Sequence, residues 1–149
     1  NIVLKYFDKN KIIDKNLKFF EREFFYYKFY DLLYKSLILS GIFFVFYDLY
    51  FLNKDILLNI IKICTLKIKN FIIVLYSTEE NLINIVVGVS KGLEIKISAS
   101  FIANFLSKEL GGNGGGNSFI GVGKSKNCEK VSFILNKYFF YFKNIFFNF

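Results

Sequence analysis

The residues best suited to chemistry lie in the segment 83–124, where a run of glycines is flanked by asparagines and lysines. Residues 111–116 read GGNGGG, with five glycines in six positions. Glycine lacks a Cβ, so such a run permits positive φ angles and the close approach of a phosphodiester backbone. Backbone N–H groups and the amides of Asn113 and Asn117 can donate hydrogen bonds to phosphates or 2′-hydroxyls. The pattern therefore permits a binding loop but does not by itself require one.

Lysines on both sides of the glycine run would supply positive charge to the same surface. The predicted nucleic-acid-binding residues are Lys91, Lys108, Gly111, Gly112, Asn113, Gly114, Gly115, Gly116, Asn117, Lys124 and Lys126. The alternative for the run is a helix C-cap followed by a flexible connector, because glycines are common punctuation between elements. For each lysine taken singly, the alternative is a solvated surface position.

Catalysis is not predicted, because the chain contains no histidine and no cluster of carboxylates. Glu79 and Glu80 are adjacent, but they fall at a predicted turn, where solvation is the simpler role. A phosphate-binding Walker loop needs Lys directly after its last glycine, and Asn117 stands there. The segment 121–125 reads GVGKS but lacks the preceding glycine at the required distance.

Metal binding is not predicted either. Cys64 and Cys128 are too far apart to form a CxxC pair, and no histidine is present to complete a zinc site. Two free thiols in a reducing compartment are the expected state.

Two linked motifs carry a resemblance to a known family. Residues 86–93 read VVGVSKGL, an amphipathic helix follows, and residues 110–123 read LGGNGGGNSFIGVG. This arrangement resembles the C-terminal domain of alanyl-tRNA synthetase, a module that is also fused to DHH-type phosphoesterases. The resemblance extends from about Gly41 to the end of the chain. The chain departs from the family pattern at Asn113, which replaces the usual Lys, and at Asn117, which replaces the usual Arg.

The resemblance implies an accessory domain of alanine-tRNA ligase that binds the elbow of tRNA(Ala) and supports aminoacylation and editing. Those reactions would belong to upstream domains, which would hold the ATP, Mg and Zn, and no cofactor is expected in this fragment. The missing initiator methionine fits a C-terminal piece of a longer enzyme. The loss of Lys and Arg at positions 113 and 117 would remove phosphate contacts and weaken binding.

Two other functions remain open. One is a nucleic-acid-binding or nucleotide-binding domain of a DHH-type phosphoesterase, although that branch carries a GGGH-type motif and Asn117 stands at the position of its histidine. The other is a structural module that dimerises through its N-terminal helix or its globular part.

Composition limits the localisation and the partners. The net charge of +8 favours a polyanionic partner, but the abundance of Phe, Ile, Lys, Asn and Tyr also indicates an AT-rich gene, which the base composition of the coding sequence would test. A cytoplasmic location is expected, or the matrix of an organelle or the interior of a symbiont. The apolar stretch 37–52 is interrupted by Gly41 and Asp48 and falls short of the ~20 residues that a membrane-spanning helix needs.

The hydrophobic pattern predicts an α/β (α+β-like) domain with a mixed sheet of about four strands covered by helices. A long amphipathic helix from Lys11 to about Leu39, ended by Gly41, precedes it, and residues 1–10 are expected to be ragged or extended. The chain would divide into a helical arm or linker (1–40) and a globular tRNA-binding domain (41–149). Strands are predicted at 42–51, 71–77, 82–90 and 118–123, the third with Ile83, Ile85, Val87 and Val89 on one face. Further helices are predicted at 56–67, capped by Asn53 or Asp55, at 98–110, capped by Ser98, and at 128–147. The helix 98–110 would bury Phe101, Ile102, Phe105, Leu106 and Leu110.

Overall fold

The computed structural model describes residues 2–126, 129 and 131–147. One six-stranded sheet lies between two layers of helices. The elements in chain order are α1 (Ile2–Lys35), β1 (Leu37–Leu39), β2 (Ile42–Asp48), α2 (Lys54–Lys67), β3 (Phe71–Glu79), β4 (Leu82–Val89), α3 (Ala99–Glu109), β5 (Asn113–Gly116), β6 (Ile120–Lys126) and α4 (Val131–Phe147). The predicted class, a mixed sheet covered by helices and preceded by a long helix, is confirmed.

The strand order is β1-β2-β3-β4-β6-β5, with β2 and β3 parallel and the other neighbours antiparallel. Helix α2 makes the crossover that a parallel pair requires. The alternation predicted for β4 is confirmed, because Ile83, Ile85, Val87 and Val89 share one core with α3 and α4. The opposite face of the sheet forms a second core with α1 and α2.

The count of about four strands is wrong, because two edge strands escaped prediction. Strand β1 has only three residues and was included in the N-terminal helix, which in fact ends at Lys35. Gly41 is therefore not the helix terminator. Ser40 (φ 53°) and Gly41 (φ 79°) form the tight turn between β1 and β2, where positive φ angles suit the twist of a hairpin. Strand β5 is the predicted glycine loop itself.

Helix α1 also begins earlier than predicted, since the backbone of residues 2–10 is helical and not extended. Its last turns belong to the globular body: Phe29 and Leu32 are buried in the core beside α2 and β2. Tyr47 of β2 donates a hydrogen bond to the Asp31 carboxylate, and this bond, helped by Lys35 at 3.4 Å, lowers the pKa of Asp31. The division into an arm (1–40) and a globular part (41–149) stays a prediction.

The helix caps follow the sequence closely. Asn53 caps α2 by accepting from the N–H of Ile56 (3.0 Å), and Ser98 caps α3 by accepting from the N–H of Phe101 (3.1 Å). The predicted burial of Phe101 is wrong, because its side chain is 57% exposed. Helix α3 instead turns its small residues toward the sheet, as described below.

None of the helices in the described part of the chain is long and apolar enough to cross a membrane.

Candidate nucleic-acid interface

The glycine run ends α3 and then becomes an edge strand. Gly111 has a φ of 85°, its N–H donates to the Lys108 carbonyl (3.0 Å), and the N–H of Gly112 donates to the Ser107 carbonyl (2.7 Å). These two bonds form a Schellman motif, which requires a left-handed residue after the helix. The helix C-cap is therefore real, but the flexible connector expected after it is wrong, because residues 113–116 pair with β6.

Most glycines of the β5–β6 hairpin lie where a side chain would collide with backbone. A Cβ added to Gly114 would stand 2.7 Å from the Ala103 carbonyl oxygen, and one added to Gly121 would stand 2.3 Å from that of Ala99. Residues Ala99, Ala103 and Ser107 follow one another at intervals of four along α3, which puts them in one stripe facing this hairpin. The glycines thus allow α3 to lie directly on β5 and β6.

The turn of the hairpin is closed by Asn117. Its side-chain oxygen accepts from the N–H groups of Phe119 (2.9 Å) and Ile120 (2.8 Å), and its own N–H donates to the Ile120 carbonyl (2.9 Å). The carbonyl of Asn117 accepts from the N–H of Ser100 (3.0 Å), and that of Ser118 from Ala99 (2.9 Å). The first two N–H groups of α3 are therefore satisfied by the turn, and the NH₂ group of the Asn117 side chain is left to meet a ligand.

Two N–H groups of β5 remain directed away from the sheet. Asn117 and Ile120 form a hydrogen-bonded pair, and such pairs alternate with non-bonded ones along an antiparallel ladder. The alternation places the outward-pointing N–H groups on Gly114 and Gly116. Of the backbone donors predicted for the glycine run, the N–H groups of Gly114 and Gly116 therefore remain available, at the exposed edge of the sheet.

One face of the hairpin is open. In the register Ser77–Asn84–Lys124–Asn113, four polar residues cross β3, β4, β6 and β5 on the face that also carries α2. Ser77 and Asn84 are buried, whereas Lys124 and Asn113 are exposed, because α2 covers only the β3 and β4 end of this row. A Cβ added to Gly115 on the same face would meet no atom within 4 Å.

Two grooves adjoin this open face and share Lys124. The outer groove, of about 470 Å³, is lined by Leu82, Gly111, Gly112, Asn113, Lys124, Ser125 and Lys126. The inner groove, of about 340 Å³, is lined by Asn53, Lys54, Asp55, Glu79, Asn84, Val122, Gly123 and Lys124. Because Asp55 and Glu79 bring negative charge to the inner groove, an anion is better accommodated in the outer one.

The structure brings together only part of the predicted site. Lys124 and Lys126 lie beside Gly111, Gly112 and Asn113 in the outer groove, and Lys108 is exposed at the adjoining end of α3. Lys91 follows β4 at its other end, beside Phe119. The length of β4 separates Lys91 from Lys126 by roughly 26 Å, taking 3.3 Å per residue. Lys91 therefore cannot share a single phosphate with the other lysines.

Two lining residues of the inner groove, Lys54 and Asn84, were not among the predicted site residues. Asn84 is buried in an otherwise apolar strand and donates to the Glu79 carboxylate (3.1 Å). Asn84 interrupts the apolar residues of 82–89, and this interruption could have indicated a site, because a buried polar group needs a hydrogen-bond partner.

Cys64 is buried, and burial raises the pKa of its thiol to about 12. Cys128 lies outside the described residues, and the described residues contain no group of metal ligands.

The chain is similar in sequence to alanine–tRNA ligases. The chain is 39% identical over 66 residues to alanine–tRNA ligase of Thermotoga maritima and 37% identical over 79 residues to that of Buchnera aphidicola subsp. Baizongia pistaciae. These matches cover 44% and 53% of this chain but only 8% and 9% of the relatives, so the chain spans a small part of their length. No protein-family model matches the chain.

The crystal structure of the C-Ala domain from Aquifex aeolicus alanyl-tRNA synthetase has the same fold. The TM-score is 0.62 at 22% sequence identity, and the match covers 70% of this chain and 95% of that domain. The sequence matches and the shared fold confirm the predicted resemblance. This chain is similar in sequence to alanine–tRNA ligases and in fold to the C-Ala domain of alanyl-tRNA synthetase.

Proposed function

We propose that this chain is the C-terminal accessory domain of an alanine-tRNA ligase and that it binds the elbow of tRNA(Ala). The observation that carries the proposal is the open, lysine-lined face of the β5–β6 hairpin in a fold shared with the C-Ala domain. Aminoacylation and editing would be performed by other domains of the same enzyme. The domain would hold tRNA for those reactions.

The geometry favours contacts with the nucleic-acid backbone over base reading. Lys124 and Lys126 supply charge to the outer groove, and the edge N–H groups of Gly114 and Gly116 supply directed donors on the neighbouring strand. Contacts of these kinds fix the position and orientation of a nucleic acid without reading its sequence. RNA would therefore be recognised by its shape.

The direct test is the binding of the folded chain to a tRNA(Ala) transcript over a salt titration, together with a nuclease footprint. The double variant Lys124→Gln, Lys126→Gln should bind more weakly, and the slope of log K against log salt should fall by about 2, or roughly one per phosphate contact. The footprint should protect the elbow.

A matched double variant, Lys62→Gln, Lys96→Gln, removes the same charge from exposed positions away from the hairpin. It should leave the slope nearly unchanged, because neither lysine lines the open face. Equal losses in both double variants would show that net charge alone drives binding. A folded chain that does not bind tRNA at low salt would refute the proposed function.

A further inference from the structure

The inner groove beside Lys124 holds hydrogen-bond acceptors that the proposed phosphate contacts leave unused. Its two carboxylates, Asp55 and Glu79, are balanced in charge by Lys54 and Lys124. Among the described residues, no ion pair within 4 Å joins any of these four side chains, so the carboxylates are free to accept from a ligand. A neutral group that donates hydrogen bonds therefore suits this groove better than a phosphate does.

Asn84 supplies a further acceptor to the same groove. It is only 4% exposed, and its NH₂ group donates to the Glu79 carboxylate at 3.1 Å. Because a carboxylate can only accept, this bond fixes the orientation of the amide. The Asn84 side-chain oxygen is left without a hydrogen-bond partner in the described part of the chain.

That oxygen opens to the groove. In the part of the chain that the structure describes, the fully buried side-chain oxygens without a partner belong to Ser77 and Ser107. The oxygen of Asn84 is not among them, and Asn84 lines the groove. Buried polar groups are almost always hydrogen-bonded, so a nearly buried amide with a free acceptor facing a groove points to a ligand that donates.

We infer that the inner groove binds a ribose 2′-hydroxyl and thereby selects RNA over DNA, an inference that rests on the proposed tRNA binding. The Glu79 carboxylate and the Asn84 side-chain oxygen accept from the hydroxyl. DNA lacks this group, and the 2′-hydroxyl is what allows a protein to distinguish the two nucleic acids at a given site.

The two grooves are spaced to bind one nucleotide. The 2′-hydroxyl is attached to the carbon next to the one that carries the 3′-phosphate, so both groups reach a protein together. Lys124 lines both grooves, and Asn84 is its partner on β4, about 4.8 Å away between neighbouring strands. A phosphate held by Lys124 and Lys126 in the outer groove therefore brings the adjoining hydroxyl to the inner one.

Two tRNA(Ala) transcripts that differ only at the 2′ position test the inference. One is natural, and the other carries 2′-fluoro nucleotides across the elbow. Fluorine keeps the sugar conformation of RNA but cannot donate a hydrogen bond, so the shape is retained and the donor is lost. The wild-type chain should bind the fluoro transcript about tenfold more weakly, as expected for the loss of a hydrogen bond to a charged acceptor.

Two adjacent glutamates provide a matched pair of variants. Glu79→Ala should reduce the ratio of the two affinities from about tenfold to about twofold or less. Glu80→Ala removes the same charge from a residue that does not line the groove, and it should leave the ratio unchanged. Asn84→Ala should lower the ratio as Glu79→Ala does, with its fold checked by circular dichroism. Because every variant meets the same two transcripts, any effect of fluorine on the RNA itself cancels in the comparison.

The outcomes separate this inference from the proposed function. If the wild type binds neither transcript, the proposed function fails and the inference fails with it. If the wild type binds both transcripts equally well, tRNA binding stands and hydroxyl recognition is overturned. Equal ratios in Glu79→Ala and Glu80→Ala would also overturn it, because the discrimination would then arise outside the inner groove.

Discussion

The two faces of the β5–β6 hairpin use the same sequence segment in opposite ways. On the face toward α3, a Cβ on Gly114 or Gly121 would collide with the backbone of α3, and one on Gly123 would collide with the Ser107 side chain, so none of the three has room for a side chain. On the other face, Gly115 has open space and Lys124 and Lys126 are exposed. The face toward α3 is formed by residues without side chains, whereas the other face carries charged side chains.

This difference separates what the glycine motif does from what the lysines do. The glycine spacing that carries the family resemblance is explained on the closed face by the contact between α3 and the hairpin, without any ligand. The proposed RNA binding would therefore depend on the open face and on the edge of β5. The substitution of Asn for the usual Lys and Arg at positions 113 and 117 leaves the closed face intact, because neither side chain enters it. The fold is therefore retained with Asn at both positions.

The largest effect is expected from a side chain on the closed face. In Gly121→Val the Cβ would stand 2.3 Å from the backbone oxygen of Ala99, so α3 itself would have to move. We expect a loss of about 3 kcal/mol or more in the free energy of unfolding, measured by urea denaturation. A loss below about 1 kcal/mol would contradict the close packing of α3 on β6.

A smaller loss is expected at the turn that joins β5 and β6. Asn117→Ala removes the acceptor for the N–H groups of Phe119 and Ile120, which should cost about 1–2 kcal/mol in unfolding free energy. Asn113→Ala, at the exposed opposite end of β5, is the matched control and should change stability by less than about 0.5 kcal/mol. If both variants lose the same stability, the Asn117 side chain does not hold the turn.

The closed face also contains a polar group without a partner. The Ser107 hydroxyl is fully buried and, within the described part of the chain, makes no hydrogen bond. Ser107→Ala removes the desolvated group while keeping a small side chain in the stripe of α3. We expect the unfolding free energy to stay the same or to rise by up to about 1 kcal/mol. A clear loss would indicate a buried water that bonds the hydroxyl.

The sequence predicted the apolar elements well and the glycine run poorly, for a physical reason. The alternation in 83–89 and the caps Asn53 and Ser98 are local signals, and each was confirmed. Strand β5 has almost no side chains, so it has no alternation to detect, and it is held by contacts with α3 and β6 that lie elsewhere in the chain. Phe101 was predicted to be buried because it falls at helical spacing with Phe105, whereas the tight contact with the hairpin required the small residues of α3.

Nearness in sequence was equally unable to show which lysines of the predicted site share a surface. Lysines were grouped by their nearness in sequence to the glycine run, which put Lys91 with Lys124 although β4 separates them. Lys54 enters the neighbouring groove from a different element, and no local pattern links it to β6. Which charges share a surface is decided by strand register, and register depends on the pairing of distant segments.

The smallest effect on stability, and the sharpest test of the open face, is expected at Gly115. A Cβ added there meets no atom within 4 Å, and the φ of Gly115 is not in the left-handed region. Gly115→Val should therefore change the unfolding free energy by no more than about 0.5 kcal/mol.

The new side chain would stand on the open face beside the outer groove and hinder RNA. We expect tRNA(Ala) to bind about five- to tenfold more weakly, or about 1–1.4 kcal/mol. Ser132→Val places an equally large side chain at an exposed position of α4 and should leave binding unchanged. Since Gly115→Val preserves the fold where Gly121→Val does not, full retention of tRNA binding by Gly115→Val would show that any contact with RNA lies away from this face.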